Sequence, residues 1–148
     1  MKISTRGRYS TRMMLELALN YGKGPTLLKE IAESEDISMK YLSQLVLPLK
    51  VAGLIMGTRG AHGGYLLTRP PEDIKLSEII TAVEGSMNPV ECVDNPGICP
   101  RSSFCATFEI WEEMGRCNIQ VLESHTLKDL VKRHLEKEKK VLISTEMK

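Results

Sequence analysis

Residues 37–68, ISMKYLSQLVLPLKVAGLIMGTRGAHGGYLLT, change their hydrophobic period half-way along. Leu42, Leu45 and Leu49 recur at i, i+3 and i+7, the apolar stripe of a helix that faces a core. Lys40, Ser43, Gln44 and Leu47 fall on the opposite side, which carries no acid. Asp36 and Ser38 are capping residues ahead of this helix, and Gly53 stands where it stops. Pro48 deletes a backbone bond inside it, so a kink near 44–47 or an early tightening of the last turn is expected. Leu54-Ile55-Met56 and Tyr65-Leu66-Leu67 then read as two short strands, joined by a loop with Arg59, Gly60, Gly63 and Gly64. Helix, strand, glycine-rich loop and strand is the order of a recognition helix followed by a β-wing.

That order suits duplex DNA. An acid-free helix face enters the major groove, where Lys40, Ser43 and Gln44 reach base edges. Glycines let a wing backbone approach phosphates, and Arg59 is placed for a narrow, negative minor groove. An exposed helix followed by an ordinary hairpin would carry the same periodicity.

The flanking chain completes a helix-turn-helix. Residues 6–22 form a first helix with Tyr9, Met13 and Leu17 on one stripe, ended by Gly22 and Gly24-Pro25. Arg6, Arg8 and Arg12 near its start either meet phosphates or form a solvated cationic face. Thr26 caps a short helix over 27–34, and Glu35-Asp36-Ile37 is the tight turn into the recognition helix. Residues 76–84 make another amphipathic helix closed by Gly85, which bounds a DNA-binding unit at 1–85.

The remainder is a loop at 86–103 and a helical segment at 104–148. A long helix from 104 to about 124 places Phe108, Trp111, Gly115, Ile119 and Leu122 on one face, and a second copy of the chain is the simplest cover for it. Thr126 caps a last helix over about 127–141. Helix formers and eight methionines in 148 residues favour a mainly α protein: a winged helix-turn-helix with a two-stranded wing and a long dimerisation helix. The net charge of +1 conceals an asymmetry, because Lys2, Arg6, Arg8 and Arg12 all precede the first acid, Glu16, whereas 72–113 is acidic. No signal peptide or membrane-spanning run is present in the sequence, so a cytoplasmic location is the expectation. No Walker loop, zinc-protease helix or nucleophile elbow points to an enzyme.

Four cysteines in a reducing compartment point to metal ligation or reactive thiols rather than disulfides. Cys92, Cys99 and Cys105 form a C-x6-C-x5-C set, wider than common zinc spacings and compatible with an iron–sulfur cluster wrapped by a Pro/Gly loop. Scattered buried cysteines are the alternative. Cys117, on the order of 18 Å along a helix from Cys105, does not reach the same group.

Several of these motifs together resemble a known family: Gly7-Arg8-Tyr9, Tyr41-Leu42-Ser43-Gln44-Leu45, Gly53-Leu54-Ile55, Arg59-Gly60-x-x-Gly63-Gly64-Tyr65, Leu76-Ser77-Glu78-Ile79-Ile80-x-Ala82-Val83-Glu84-Gly85 and three spaced cysteines. It is the bacterial winged-helix regulators of the iron–sulfur, nitric-oxide and cysteine-responsive type (IscR, NsrR, CymR), with the likeness running over about residues 1–135. The resemblance implies a homodimer on a palindromic operator with crossed long helices. It also implies Tyr41, Ser43, Gln44 and Arg59 as DNA contacts, and a [2Fe–2S] or [4Fe–4S] cluster on Cys92, Cys99 and Cys105. Two departures stand out: Ser43 occupies the place of a Glu in IscR-like members, and Ala106, Thr107 and Phe108 follow the third cysteine where those members supply a histidine. The expected function is a cluster-controlled transcription regulator, in the sense of a repressor. The alternatives are a cluster-free repressor governed by a partner enzyme or thiol oxidation, and a small electron carrier, for which a basic terminus and an Arg-bearing wing have no use.

Overall fold

The computed structural model describes residues 2–147. Helix α1 (Thr5–Leu19) is followed by α2 (Leu28–Glu35) and α3 (Met39–Val51), then strands β1 (Ile55–Thr58) and β2 (Gly64–Leu67). After a 3-10 turn at Pro71–Asp73 come α4 (Leu76–Glu84), the single-turn α5 (Glu91–Asp94), and the long helices α6 (Phe108–Glu123) and α7 (Leu127–Glu146).

Local chemistry sets the helix starts. Ser38 N-caps α3 by accepting from the Tyr41 N–H at 3.2 Å, and Asp36 takes the left-handed conformation (φ 51°) that ends α2. Both α2 and α4 carry a Glu in the first turn that reaches back: Glu30 to the Leu27 N–H at 2.8 Å and Glu78 to the Lys75 N–H at 3.0 Å. Thr126 and Asp129 form a reciprocal capping box at the start of α7.

The core gathers one stripe from each helix of the body: Met13, Met14 and Leu17 of α1, Ile31 of α2, Leu42, Leu45 and Leu49 of α3, and Ile79 and Val83 of α4. The apolar period of α3 is therefore the packing face that the spacing of its leucines requires. Pro48 lies inside α3, and the helix runs on through it to Val51. Pro48 withholds the N–H that would bond the Gln44 carbonyl, while its own carbonyl still accepts from the Ala52 N–H at 3.0 Å.

Several boundaries differ from expectation, among them the last helix, which runs on to Glu146. The first helix stops at Leu19, with Asn20 as its C-cap, so the chain leaves helical geometry before Gly22. Thr26 does not cap α2; it pairs with Tyr65 in an antiparallel bridge (N–H to O 3.0 and 2.9 Å), adding an edge to the wing. The long helix begins at Phe108, because Phe104 belongs to a separate 3-10 turn over Ser102–Phe104.

Helix α7 returns to the body. The Leu127 N–H donates to the Ile74 carbonyl at 2.9 Å, the Leu76 N–H to that of His125 at 3.0 Å, and Leu127 is fully buried. In contrast, the only buried residue of α6 is Gly115.

Candidate nucleic-acid interface and cysteine loop

With Leu42, Leu45 and Leu49 turned inward, α3 presents Lys40, Ser43, Gln44 and Leu47 to solvent. The Ser43 hydroxyl donates to the Met39 carbonyl at 2.8 Å, which ties it to its own helix while leaving its lone pairs outward. Tyr41 is half-buried, its ring edge-on to Tyr9 at 5.6 Å and 85°, so the phenol holds α3 against α1. The periodicity did not reveal that exposed apolar Met39 and Val51 flank this polar strip.

The wing pairs Ile55 with Leu67, Met56 with Leu66, Gly57 with Tyr65 and Thr58 with Gly64. Ile55 and Leu67 face the core and anchor the hairpin. Arg59 and Gly60 sit exposed at its tip with His62. Gly60 adopts φ 108°, a conformation open to glycine, and a side chain there would meet nothing. Gly63 and Gly64 also answer a packing requirement within the chain. A Cβ on Gly63 would stand 2.7 Å from the Thr58 carbonyl oxygen, and one on Gly64 2.5 Å from that of Thr26. These two glycines let the wing fold onto itself and onto the α1–α2 connection.

The basic N-terminus divides. Arg6 and Arg8 are exposed on the first turns of α1, and the Arg8 guanidinium donates to the Thr5 hydroxyl at 3.1 Å. Arg12 is engaged inside the chain: it pairs with the Glu35 carboxylate, bonds the Glu35 carbonyl and lies 5.4 Å over the Tyr9 ring. Arg12 therefore pins the turn between α2 and α3.

The loop after α4 is not featureless. It holds α5, a 3-10 turn at Pro96–Ile98 and another at Ser102–Phe104, and each of its cysteines sits on or just after one of these turns. Cys92, Cys99 and Cys105 are half-buried free thiols, and Cys117 is exposed on α6. The Thr107 hydroxyl, 3.3 Å from the Cys105 sulfur, together with the backbone N–H groups of Thr107 and Phe108 and the Arg101 charge, pulls the Cys105 thiol below its ordinary value. The three thiols have the donor chemistry of a cluster site. Among the described residues, however, no three His, Cys, Asp or Glu side chains are gathered at metal-binding distance. A hydrogen-bonded clip closes the start of this loop on itself: the Ser86 hydroxyl and the Asn88 amide both donate to Asp94 Oδ1, at 2.7 and 2.8 Å.

The expected partner-facing side of α6 is partly covered by its own chain. Phe108, Trp111, Ile119 and Leu122 are half-buried, and Gly115 is buried against Asn88. A different stripe, Ile110, Met114, Cys117 and Val121, lies exposed.

No helix among the described residues is long and apolar enough to cross a membrane. A family profile described as an iron-dependent transcriptional regulator, Rrf2, matches residues 3–133. The HTH-type transcriptional regulator CymR of Bacillus subtilis is 44% identical over 130 residues, 88% of this chain and 89% of its own length. The protein rrf2 of Nitratidesulfovibrio vulgaris is 42% identical over 132 residues, 89% of this chain and 88% of its own. Among solved structures, CymR, the global cysteine regulator of B. subtilis, matches with a TM-score of 0.74 and 42% identity over 90% of this chain and 98% of that one. T. potens IscR matches with a TM-score of 0.74 and 40% identity over 90% of this chain and 88% of that one. With a recognition helix, a wing and relatives that are regulators rather than enzymes, the chain belongs to the Rrf2 family of DNA-binding transcriptional regulators.

Proposed function

We propose that this chain is a homodimeric repressor whose affinity for a palindromic operator is set by an iron–sulfur cluster on Cys92, Cys99 and Cys105. The observation that carries the reading is the placement of three half-buried free thiols on successive turns of one loop, in a chain that matches a family described as iron-dependent. A [2Fe–2S] or [4Fe–4S] group would supply sensitivity to iron supply, oxidants or nitric oxide. The chain's own residues supply the rest. Residues 1–85 are the DNA-binding unit, 86–103 the sensing loop, and 104–148 the dimerisation and C-terminal helices. The exposed α6 stripe of Ile110, Met114 and Val121 suits a second copy, because burying such side chains removes about 1.5–3 kcal/mol of unfavourable hydration each.

In this reading Lys40, Tyr41, Ser43 and Gln44 enter the major groove, Arg59 with Gly60, Gly63 and Gly64 forms the wing contact, and Arg6 and Arg8 meet phosphates. The site of action is the cytoplasm, where the DNA and a reducing pool of thiols coincide.

Anaerobic purification tests it, through the visible spectrum and a count of iron and acid-labile sulfide per chain. A coloured protein that bleaches on Cys99→Ala supports the cluster. A second reading, a cluster-free repressor governed through its thiols or a partner enzyme, draws on the cysteine-regulator relative and on the ungathered thiols. A colourless protein that resists anaerobic reconstitution yet selects a palindromic duplex selects that reading.

A further inference from the structure

The last residue of α4, Glu84, reaches the start of α1. Its Oε1 accepts from the Ser4 N–H at 3.0 Å, the Ser4 hydroxyl at 2.6 Å and the Gly7 N–H at 3.1 Å. These donors lie at the end of a helix where backbone N–H groups lack intrahelical partners. The Ser4 hydroxyl accepts from the same Gly7 N–H at 3.2 Å, so the carboxylate and the N-cap close one small network. Position 7 is fitted to that carboxylate. A Cβ on Gly7 would overlap Glu84 Oε1 and stand 2.9 Å from Ile3 Cγ2. Within a helix, glycine is disfavoured against alanine by about 1 kcal/mol, so the seat of Glu84 is the local reason for Gly7.

Arg6 and Arg8 flank Gly7 and are exposed. A carboxylate this near a phosphate-facing turn opposes DNA by charge, so any benefit it brings must come through geometry. We infer that Glu84 is a positioning residue for DNA binding, seating the first turn of α1 so that Arg6 and Arg8 are held on the phosphate backbone. The inference rests on the reading above that these two arginines meet phosphate.

Full-length wild type, R6A/R8A, E84A and E84Q are compared by titration of a duplex that the wild type enriches from random sequence, over a range of salt. Each phosphate contact adds about 0.9 to the slope of log K against log salt, so R6A/R8A flattens it by about 1.8. E84A flattens the slope by a similar amount and loses about tenfold in affinity at low salt. E84Q keeps the accepting oxygen and sheds the charge, so it binds as well as wild type or better. E84A combined with R6A/R8A loses no more than R6A/R8A alone. Gly7→Ala reproduces E84A, and adds little on top of it because the overlap with Glu84 has been removed and the Ile3 side chain can turn aside. If E84A does not fold, Glu84→Asp, one methylene too short for the seat, takes its place with the same expected slope.

A merely structural role lowers Tm and leaves the slope unchanged. An unchanged slope in E84A, equal behaviour of E84A and E84Q, or additive losses with R6A/R8A overturns the inference while leaving the phosphate contacts standing. No effect of R6A/R8A alone removes the phosphate contacts, and the inference with them.

Discussion

Asn88 of the cysteine loop occupies the space that a side chain at Gly115 of α6 would need. A Cβ on Gly115 would overlap the Asn88 Oδ1 and stand 2.9 Å from its Cγ and 3.3 Å from its Cα. The same Asn88 amide donates to Asp94, two residues beyond Cys92, so one side chain ties α6 to the cysteine-bearing turn. Gly115→Ala should expel Asn88, break that bond and cost about 1–3 kcal/mol by overpacking. The check is urea denaturation alongside the alkylation rate of Cys92, which should rise. A stable variant with unchanged Cys92 reactivity would remove Asn88 as the clip.

The wing depends on the approach of Gly64 to Thr26. A Cβ there would stand 2.5 Å from the Thr26 carbonyl oxygen and 3.2 Å from the Leu27 nitrogen, against backbone that does not yield. Gly64→Ala should break the Thr26–Tyr65 bridge and displace the hairpin. Amide exchange at Thr26 and Tyr65 should accelerate while that of the α1 core stays slow. Protection retained at both positions would contradict the bridge.

Arg59 and Lys40 should differ in how they fail. Arg59 stands at the tip of an anchored hairpin, so Arg59→Ala should cost affinity most strongly on the duplex that the wild type selects. If Lys40 meets phosphate at the groove edge, Lys40→Ala should weaken all duplexes alike and flatten the salt slope by about 0.9, whereas a loss confined to the selected duplex places it on a base edge. Titrations of selected and scrambled duplexes over a salt series decide both.

Acid should loosen the junction between the wing and α4. Burial raises the Glu78 carboxyl, but the Lys75 N–H and the Arg69 guanidinium, 2.6 Å away, outweigh it and hold the group below its ordinary 4.5. A carboxyl lowered in the folded state stabilises fully above the unfolded value and loses that contribution as pH falls through the folded one. Glu78→Gln should therefore be less stable than wild type at neutral pH, with the gap closing below about pH 4.5. The side chains are more than a third exposed, so solvent keeps the effect small. Paired denaturation curves across that range should converge; parallel curves would show that the ion pair contributes nothing.

The periodicity of Leu42, Leu45 and Leu49, the run of Ile79, Ile80 and Val83, and the glycines around Arg59 were enough to read a helix-turn-helix with a wing. Each of those signals is local: it depends on spacing within one element and on which residues tolerate turns. The exposed face of α3 followed by elimination, since a helix with one buried stripe must show its other side. Other features were decided only by tertiary structure, because they are meetings of residues far apart in sequence. Arg12 reads as one more free cation until Glu35 and Tyr9 fold against it. Thr26 has the sequence of a helix cap, yet it pairs with Tyr65 because the wing returns there to complete its backbone hydrogen bonds. The stripe of Phe108, Trp111, Gly115 and Ile119 is apolar enough to suggest a second chain, and only the fold shows that Asn88 of the loop packs on it at Gly115. Gly7 and Gly115 carry no turn signal of their own; Glu84 and Asn88, distant in the chain, fill the space a side chain would take. Spacing within an element determined the fold, and only packing between elements determined which polar groups remain exposed.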